Sequence, residues 1–434
     1  MKRIYYGWWV VLGAFFTLFV CAGIGFFAFP VFLKAIEVEE GWSRTSLSIA
    51  GAIASLAAGF STPAIGWAID RFGTKAVMIP GIILMTASYL ALGRTTTIYQ
   101  LYVLFLIVGV GMACTTVLPC QTLVSRWFDK KRGRAMGVLM VANGAGGVVW
   151  TTASARLIEA FGWRNAYEIL GIMIAAVALP LTSLVIRSSP QSMGLLPYGQ
   201  AESLPEAGTL QPQEANSSGE SGYTTREAFR TVSFWLIVFS TFLATLASSG
   251  FTLHIVAFLS DRGLSETRAA DVWGMALGAS IAARIFFGFL SEKYQKRFFL
   301  FGANIFRTSC LLLLVLFALG FVPRTLAVIQ LILFYGLPLG CNAVVSPLLV
   351  SETFGVKSFG KLMGLLGIPY TIGMALGQIS GGYFFDTKGN YNAAYSMFAA
   401  SFLLAGIATV LAKPCFLLDS ARANSEGRLR KLHS

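Results

Sequence analysis

The chain has 434 residues, of which 56% are hydrophobic and only 12% charged. A soluble domain carries about 25% charged residues, so an ordinary water-soluble fold is excluded. The net charge of +13 does not call for nucleic acid, because Lys and Arg collect in the cytoplasmic loops of membrane proteins.

Apolar runs long enough to cross about 30 Å of hydrocarbon recur along the whole length. They are continuous, without the short alternating strands of a membrane β-barrel. The predicted fold is therefore all-α and polytopic. Met1-Lys2-Arg3 ahead of an apolar run mimics a signal peptide, but residues 7–33 run too long for one and are read as an uncleaved first span. Eleven more follow, near 45–69, 75–93, 98–124, 134–157, 164–187, 230–259, 267–290, 297–319, 324–350, 358–384 and 391–413. Tyr5, Tyr6, Trp8 and Trp9 suit an interfacial belt. Residues 188–229 are rich in Pro, Ser, Gly and Glu and read as a flexible cytoplasmic linker. The linker divides the chain into an N-terminal six-helix bundle, 1–187, and a C-terminal one, 230–413, followed by a cytoplasmic tail, 414–434. Lys and Arg concentrate in alternate connections, among them Arg126, Lys130, Lys131, Arg132 and Arg134. This bias places both termini in the cytoplasm. The six cysteines stand singly at the ends of or inside apolar runs, with no metal spacing and no disulfide framework. No cofactor and no metal are expected.

The halves repeat. Gly66, Asp70 and Arg71 at the end of span 2 match Gly288, Glu292 and Lys293 at the end of span 8, all at one offset. Gly133-Arg134-Ala-Met136-Gly137 matches Gly360-Lys361-Leu-Met363-Gly364, and Gly162-Trp-Arg-Asn165-Ala166 matches Gly389-Asn-Tyr-Asn392-Ala393. Parallel repeats of six spans are the arrangement of major facilitator transporters.

The span 2–3 loop reads Gly66-x-x-x-Asp70-Arg71-x-Gly73-x-Lys75. An acid beside two bases at a helix end can form a latch that breaks when that face opens. The bland alternative is a capped turn with ordinary loop charges. The motif closely resembles the signature of the major facilitator superfamily. Arg126-Trp-Phe-Asp129-Lys-Lys-Arg-Gly133-Arg134-Ala-Met136-Gly137 resembles the second signature of the monocarboxylate transporter family, and Gly7-Trp8-Trp9-Val10 weakly resembles its first, lacking the preceding acid. The resemblance implies two pseudo-repeat bundles of the major facilitator fold, and gating roles for Asp70, Arg71, Lys75, Arg134, Glu292 and Lys293.

Arg284 lies well inside span 8 with Ser280 and Gly288 one turn to either side and no acid nearby. A lone arginine at bilayer depth costs about 2.5–3.5 kcal/mol on insertion scales, so it needs a partner, and a substrate anion is one. Its planar fork can hold a carboxylate through two parallel hydrogen bonds. It resembles the span 8 arginine with which the monocarboxylate family binds substrate. Many animal members carry an Asp one turn before that arginine; Ser280 stands here instead and cannot carry a proton at neutral pH. The bland alternative for Arg284 is snorkelling to the interface. His254 in span 7 titrates near physiological pH and is read either as a substrate or proton ligand or as a backbone-bonded histidine near the outer mouth. Tyr335, Asn143 and Asn342 are further substrate-binding candidates, each set against a packing role.

The leading function is secondary transport of a small monocarboxylate such as lactate or pyruvate, by proton symport and alternating access. The alternatives are a dicarboxylate or oxalate-type exchanger, for which relatives use a second cation in span 11, where this chain has only Lys361 at the cytoplasmic start, and a multidrug exporter, for which no intramembrane acid is found. An enzyme lacks its paired acids, metal cluster or activated nucleophile. The partners expected are substrate, protons and lipid, with the protein working as a monomer in the bacterial inner membrane.

Overall fold

The computed structural model describes residues 5–199, 222–291, 294–355, 357–413 and 415. Glu292, Lys293, the middle of the linker and all of the tail but Cys415 lie outside them. The described chain is helical, with two isolated β-bridges. The helices are α1 (Gly7–Phe27), α2 (Phe29–Glu40), α3 (Arg44–Phe72), α4 (Thr74–Leu92), α5 (Ile98–Thr115), α6 (Val117–Trp127) and α7 (Arg132–Pro180). The second half adds α8 (Thr225–Phe229), α9 (Val232–Asp261), α10 (Glu266–Leu290), α11 (Lys296–Ala318), α12 (Arg324–Leu331), α13 (Leu337–Phe354), α14 (Phe359–Lys388) and α15 (Asn392–Leu411).

Eleven helical stretches among the described residues are long and apolar enough to span a bilayer. One of them, Arg132–Val185, is 54 residues long. At about 1.5 Å per residue it is roughly 80 Å, more than twice the hydrocarbon thickness. Gly162 breaks it with φ 75° and ψ 162°, so it makes two legs and the described residues hold twelve spans. The sequence bounds of spans 5 and 6 meet at this glycine. Many exposed side chains on these helices are Phe, Leu and Ile, such as Phe60, Leu184 and Phe289, as hydrocarbon surroundings require.

The chain forms two compact units. The first comprises Met1–Leu210, Gly250–Ile281 and Gln378–Tyr391, and the second Gln211–Ser249, Ala282–Gly377 and Asn392–Ser434. These units run across the linker rather than along it: parts of α9, α10 and α14 belong with the first half. In the first unit the core gathers α1, α2 and α7 around Phe29, Phe32, Trp150, Trp163 and Tyr167 and takes in Leu253 and Ala257 from α9. Phe32 and Tyr167 stack at 3.9 Å. In the second unit Phe234, Leu300, Val345, Phe354 and Leu366 form the core.

Local geometry repeats between the halves beyond what the motifs suggest. Gly41 ends α2 at φ 68° and Gly263 follows α9 at φ 87°, in a left-handed region that costs glycine little. Two residues on, Ser43 caps α3 by accepting from Ser46 N at 3.2 Å, and Ser265 accepts from Arg268 N at 3.3 Å. Gly162 and Gly389 share positive φ in the same way. The linker ends are tied alike. Phe128 bridges Tyr198 in the first unit, and Gly355 bridges Gly222 in the second.

Alternation of the spans puts the ends Glu40, Arg44, Asp261 and Lys388 on one side, called distal because it lies across the membrane from the N-terminal end of α1. There α14 lies against α3 and α9 without room for side chains. A Cβ on Gly382 would stand 2.6 Å from the Arg44 carbonyl oxygen, and one on Gly381 would stand 2.3 Å from His254 Cδ2. By contrast a Cβ on Gly364, earlier on α14, meets nothing within 4 Å. Gly382→Ala is therefore expected to destabilise by about 1–3 kcal/mol through overpacking, and Gly364→Ala to be neutral or stabilising by up to about 1 kcal/mol. Thermal unfolding in detergent reads both, and equal shifts would contradict the close approach.

Candidate functional site

The most connected polar group in the described chain is the Arg44 guanidinium, which is 2% exposed at the first turn of α3. Its Nε donates to Glu37 of α2 at 2.8 Å, and its Nη1 to Asp261 of α9 at 2.6 Å. Nη1 also reaches the Tyr391 hydroxyl at 2.8 Å, and the Phe385 ring lies 3.7 Å from the guanidinium carbon. Asp261 is shared with Lys34 at 2.9 Å. Asp386 of α14 accepts from the backbone N–H of Arg44 at 3.2 Å and of Thr45 at 2.8 Å, capping α3 where the helix dipole favours an anion. Burial pushes the Glu37 carboxyl up, against the pull of Arg44. Burial also raises the Tyr391 phenol, so that hydroxyl stays protonated.

His254 joins the same cluster. It is fully buried, with Nδ1 3.0 Å from the Tyr391 hydroxyl and Nε2 3.1 Å from the Gln378 carbonyl oxygen and 3.2 Å from Ser48 Oγ. Both ring nitrogens are thus engaged by protein atoms in this conformation. None of these partners is adjacent to His254 in sequence.

Other predicted site residues distribute as follows. Ser280 is buried in the first unit and its hydroxyl donates to Leu277 O at 2.6 Å. Asn143, in the same unit, has a buried Oδ1 without a hydrogen-bond partner among the described residues. In the second unit Arg284 and Asn342 are half-buried. Tyr335 is fully buried in a π-helical turn (Ile332–Gly336), its hydroxyl 3.2 Å from Ser248 Oγ. The Arg307 guanidinium carbon lies 5.3 Å from the Tyr335 ring and 5.2 Å from the Phe402 ring.

In the gating loops Asp70 pairs with Arg126 at 3.0 Å rather than with its neighbours. Arg71 lies over Trp67 and Phe72, at 5.4 and 5.6 Å. Lys75 bonds the Ser183 carbonyl through its ammonium and Ser188 Oγ through its backbone N–H. Arg134 is exposed. In the second unit Lys296 pairs with Glu352 at 3.3 Å. Each pair ties the loop after an even-numbered span to the end of the span two further on, with the charges reversed. Arg126, Lys296 and Glu352 were not among the residues singled out in these loops; Arg126 and Lys296 stood among ordinary positive-inside charges.

The sequence model of the Major Facilitator Superfamily matches residues 15–337 and 279–431. The chain belongs to this superfamily. Its fold, legible first in the repeats and then in the twelve spans, is that of a transporter and not of an enzyme. An uncharacterised superfamily transporter of Bacillus subtilis, YcxA, is 25% identical over 88% of this chain and 90% of its own length. Monocarboxylate transporter 13 of Bos taurus is 26% identical over 96% of this chain and 91% of its own. Human monocarboxylate transporter 2 is 24% identical over 92% and 84%. A crystal structure of a bacterial homologue of the human lysosomal transporter Spinster, inward-facing and unoccupied, covers 97% of this chain and 98% of its own at a TM-score of 0.68 and 17% identity; it shares the fold.

Removing one partner from a buried ion pair leaves an uncompensated charge and costs about 3–5 kcal/mol. Arg44→Gln strands Glu37 and leaves Asp261 with Lys34, and is expected to cost that much in thermal stability. Asp70→Asn, on a carboxylate whose side chain is 80% exposed, is expected to cost under about 1 kcal/mol. Comparable losses from the two would contradict the assignment of Arg44 as the structural centre.

Proposed function

We propose that this superfamily member moves a small monocarboxylate of the lactate or pyruvate kind across the membrane together with a proton. The observation that carries the reading is Arg284, a guanidinium half-buried within the apolar helix α10, in a chain whose full-length relatives include proteins named monocarboxylate transporters. Arg284 fixes the carboxylate by its planar fork. Tyr335 and Asn342 supply neutral hydrogen-bonding groups in the same unit. The transport cycle is alternating access of the two six-span halves. The distal lock around Arg44 closes one face, and the Asp70–Arg126 and Lys296–Glu352 pairs serve the other. The termini are cytoplasmic, so the distal side faces outward from a bacterial inner membrane, and the protein works as a monomer. A proton crossing with the anion makes the step electrically neutral, which avoids about 2.3 kcal/mol per charge per 100 mV.

Arg307 favours a second reading. It is 1% exposed within α11, and none of its three side-chain nitrogens has a hydrogen-bond partner among the described residues. A second buried cation suits the second carboxylate of a dicarboxylate in an exchanger.

Reconstituted vesicles are expected to accumulate labelled lactate or pyruvate under an imposed proton gradient, and Arg284→Ala to abolish uptake. Full uptake by that variant would remove the carboxylate role of Arg284. Competition by monocarboxylates but not by dicarboxylates supports the first reading; stronger competition by dicarboxylates, lost in Arg307→Met, supports the second.

A further inference from the structure

The lock contains a histidine whose hydrogen bonds suit a neutral ring with its hydrogen on Nε2. The Gln378 carbonyl can only accept, so His254 Nε2 carries hydrogen toward it at 3.1 Å. Ser48 spends its own hydrogen on the Arg44 carbonyl oxygen at 2.6 Å, and its lone pair faces the same Nε2–H. The Arg44 Nη1 donates to the Tyr391 oxygen at 2.8 Å, leaving the Tyr391 hydrogen to point at His254 Nδ1, 3.0 Å away. The chain runs in one direction, from guanidinium to phenol to imidazole to carbonyl. In this arrangement each donor meets an acceptor, and Nδ1 is a bare lone pair.

We propose that His254 Nδ1 is a proton-binding site of the transport cycle and that taking up a proton there releases the distal lock. A proton on Nδ1 would face the hydrogen of Tyr391, while the Arg44 N–H occupies the other side of the same oxygen. It would also place a second positive charge one phenolic oxygen from Arg44. Each carboxylate near it already has another partner. Asp261, on the same helix, is committed to Arg44 and Lys34, and Glu37 of α2 is committed to Arg44. Asp386 of α14 is committed to the N-terminus of α3. The ring cannot turn toward α14, because Cδ2 already fills the space of a Gly381 Cβ. The strain is removed when Tyr391 and α14 move away from α3 and α9, which exposes the imidazole to the distal solution. The proton comes from that solution, the phenolic hydrogen stays on its oxygen, and Arg44 keeps its two carboxylates. Histidine is suited to this because it titrates between about pH 5 and 8. The inference gives the symport reading a proton site that Ser280 cannot provide, and rests on that reading for its consequence in transport but not for the opening itself.

The test measures opening without substrate. Ala257 is fully buried next to Leu253 in the core of the first unit. Ala257→Cys in the full-length chain, reconstituted in vesicles, is treated with a membrane-impermeant maleimide between about pH 8 and 5, and labelling of the unsubstituted chain is subtracted. Labelling is expected to rise severalfold toward acid, and to lose that rise when His254→Gln is added. Glutamine keeps one donor and one acceptor in the ring's place but binds no proton. The same pH course with and without His254→Gln overturns the proposal. Should that variant not assemble, Tyr391→Phe removes the group opposing Nδ1–H, so that a proton no longer strains the closed lock, and is expected to shrink the acid rise; an unchanged course overturns the proposal equally. Lactate uptake with pH-independent labelling removes this inference alone. Acid-dependent labelling without uptake of any monocarboxylate removes the transport reading alone.

Discussion

A guanidinium taken out of water is tolerable only where acceptors already stand around it. Arg44 imposes that requirement on the whole distal end. Its two carboxylates come from α2 and α9, its phenol from the residue preceding α15, and its aromatic face from α14. The chain near residue 37, near residue 261 and over residues 385–391 is thereby gathered around one side chain. The glycine pair 381–382 follows from it, since α14 can bring Phe385, Asp386 and Gln378 to α3 and α9 only if its own backbone comes into contact with theirs. Such a cluster is well suited to a two-state element. Parting Arg44 from Glu37 leaves a buried charge behind.

The internal repeat shows that the two halves preserve geometry more closely than residues. Left-handed glycines and serine caps recur in the first connection of each half, where the sequence reads Gly41-Trp-Ser43-Arg44 and Gly263-Leu-Ser265-Glu266. The third residue after the glycine is Arg44 in one half and Glu266 in the other, so the shared turn presents opposite charges. The same inversion separates Asp70–Arg126 from Lys296–Glu352. What is held in common is the backbone requirement of the turn and the existence of a tie. The sign of each charge is free as long as its partner changes with it.

The spans were legible because hydrocarbon thickness sets their length, and the break at Gly162 because its repeat partner Gly389 marks the same connection. Arg284 stood out for the reason that makes it expensive. His254 was visible as a lone histidine in an apolar run, but its chemistry was not, since Ser48, Gln378 and Tyr391 reach it from three other helices or turns. Asp70 was read with the bases beside it, whereas its partner Arg126 lies at the end of α6. Arg44 itself gave no signal, being one basic residue at a helix start among many. Sequence spacing reports partners on one helix face and is silent about those that only packing brings near.

The linker illustrates how an unpatterned segment can be anchored at both ends. Tyr198 takes the backbone N–H groups of Asp129 and Lys130 and gives its own to Trp127, and on the far side Tyr223 N–H donates to the Phe354 carbonyl. Both attachments are made to the backbone, so they ask little of the side chains in between. Each half thus carries its own end of the tether as part of its fold. A reporter domain inserted in the sequence between residues 199 and 222 would compete for neither attachment.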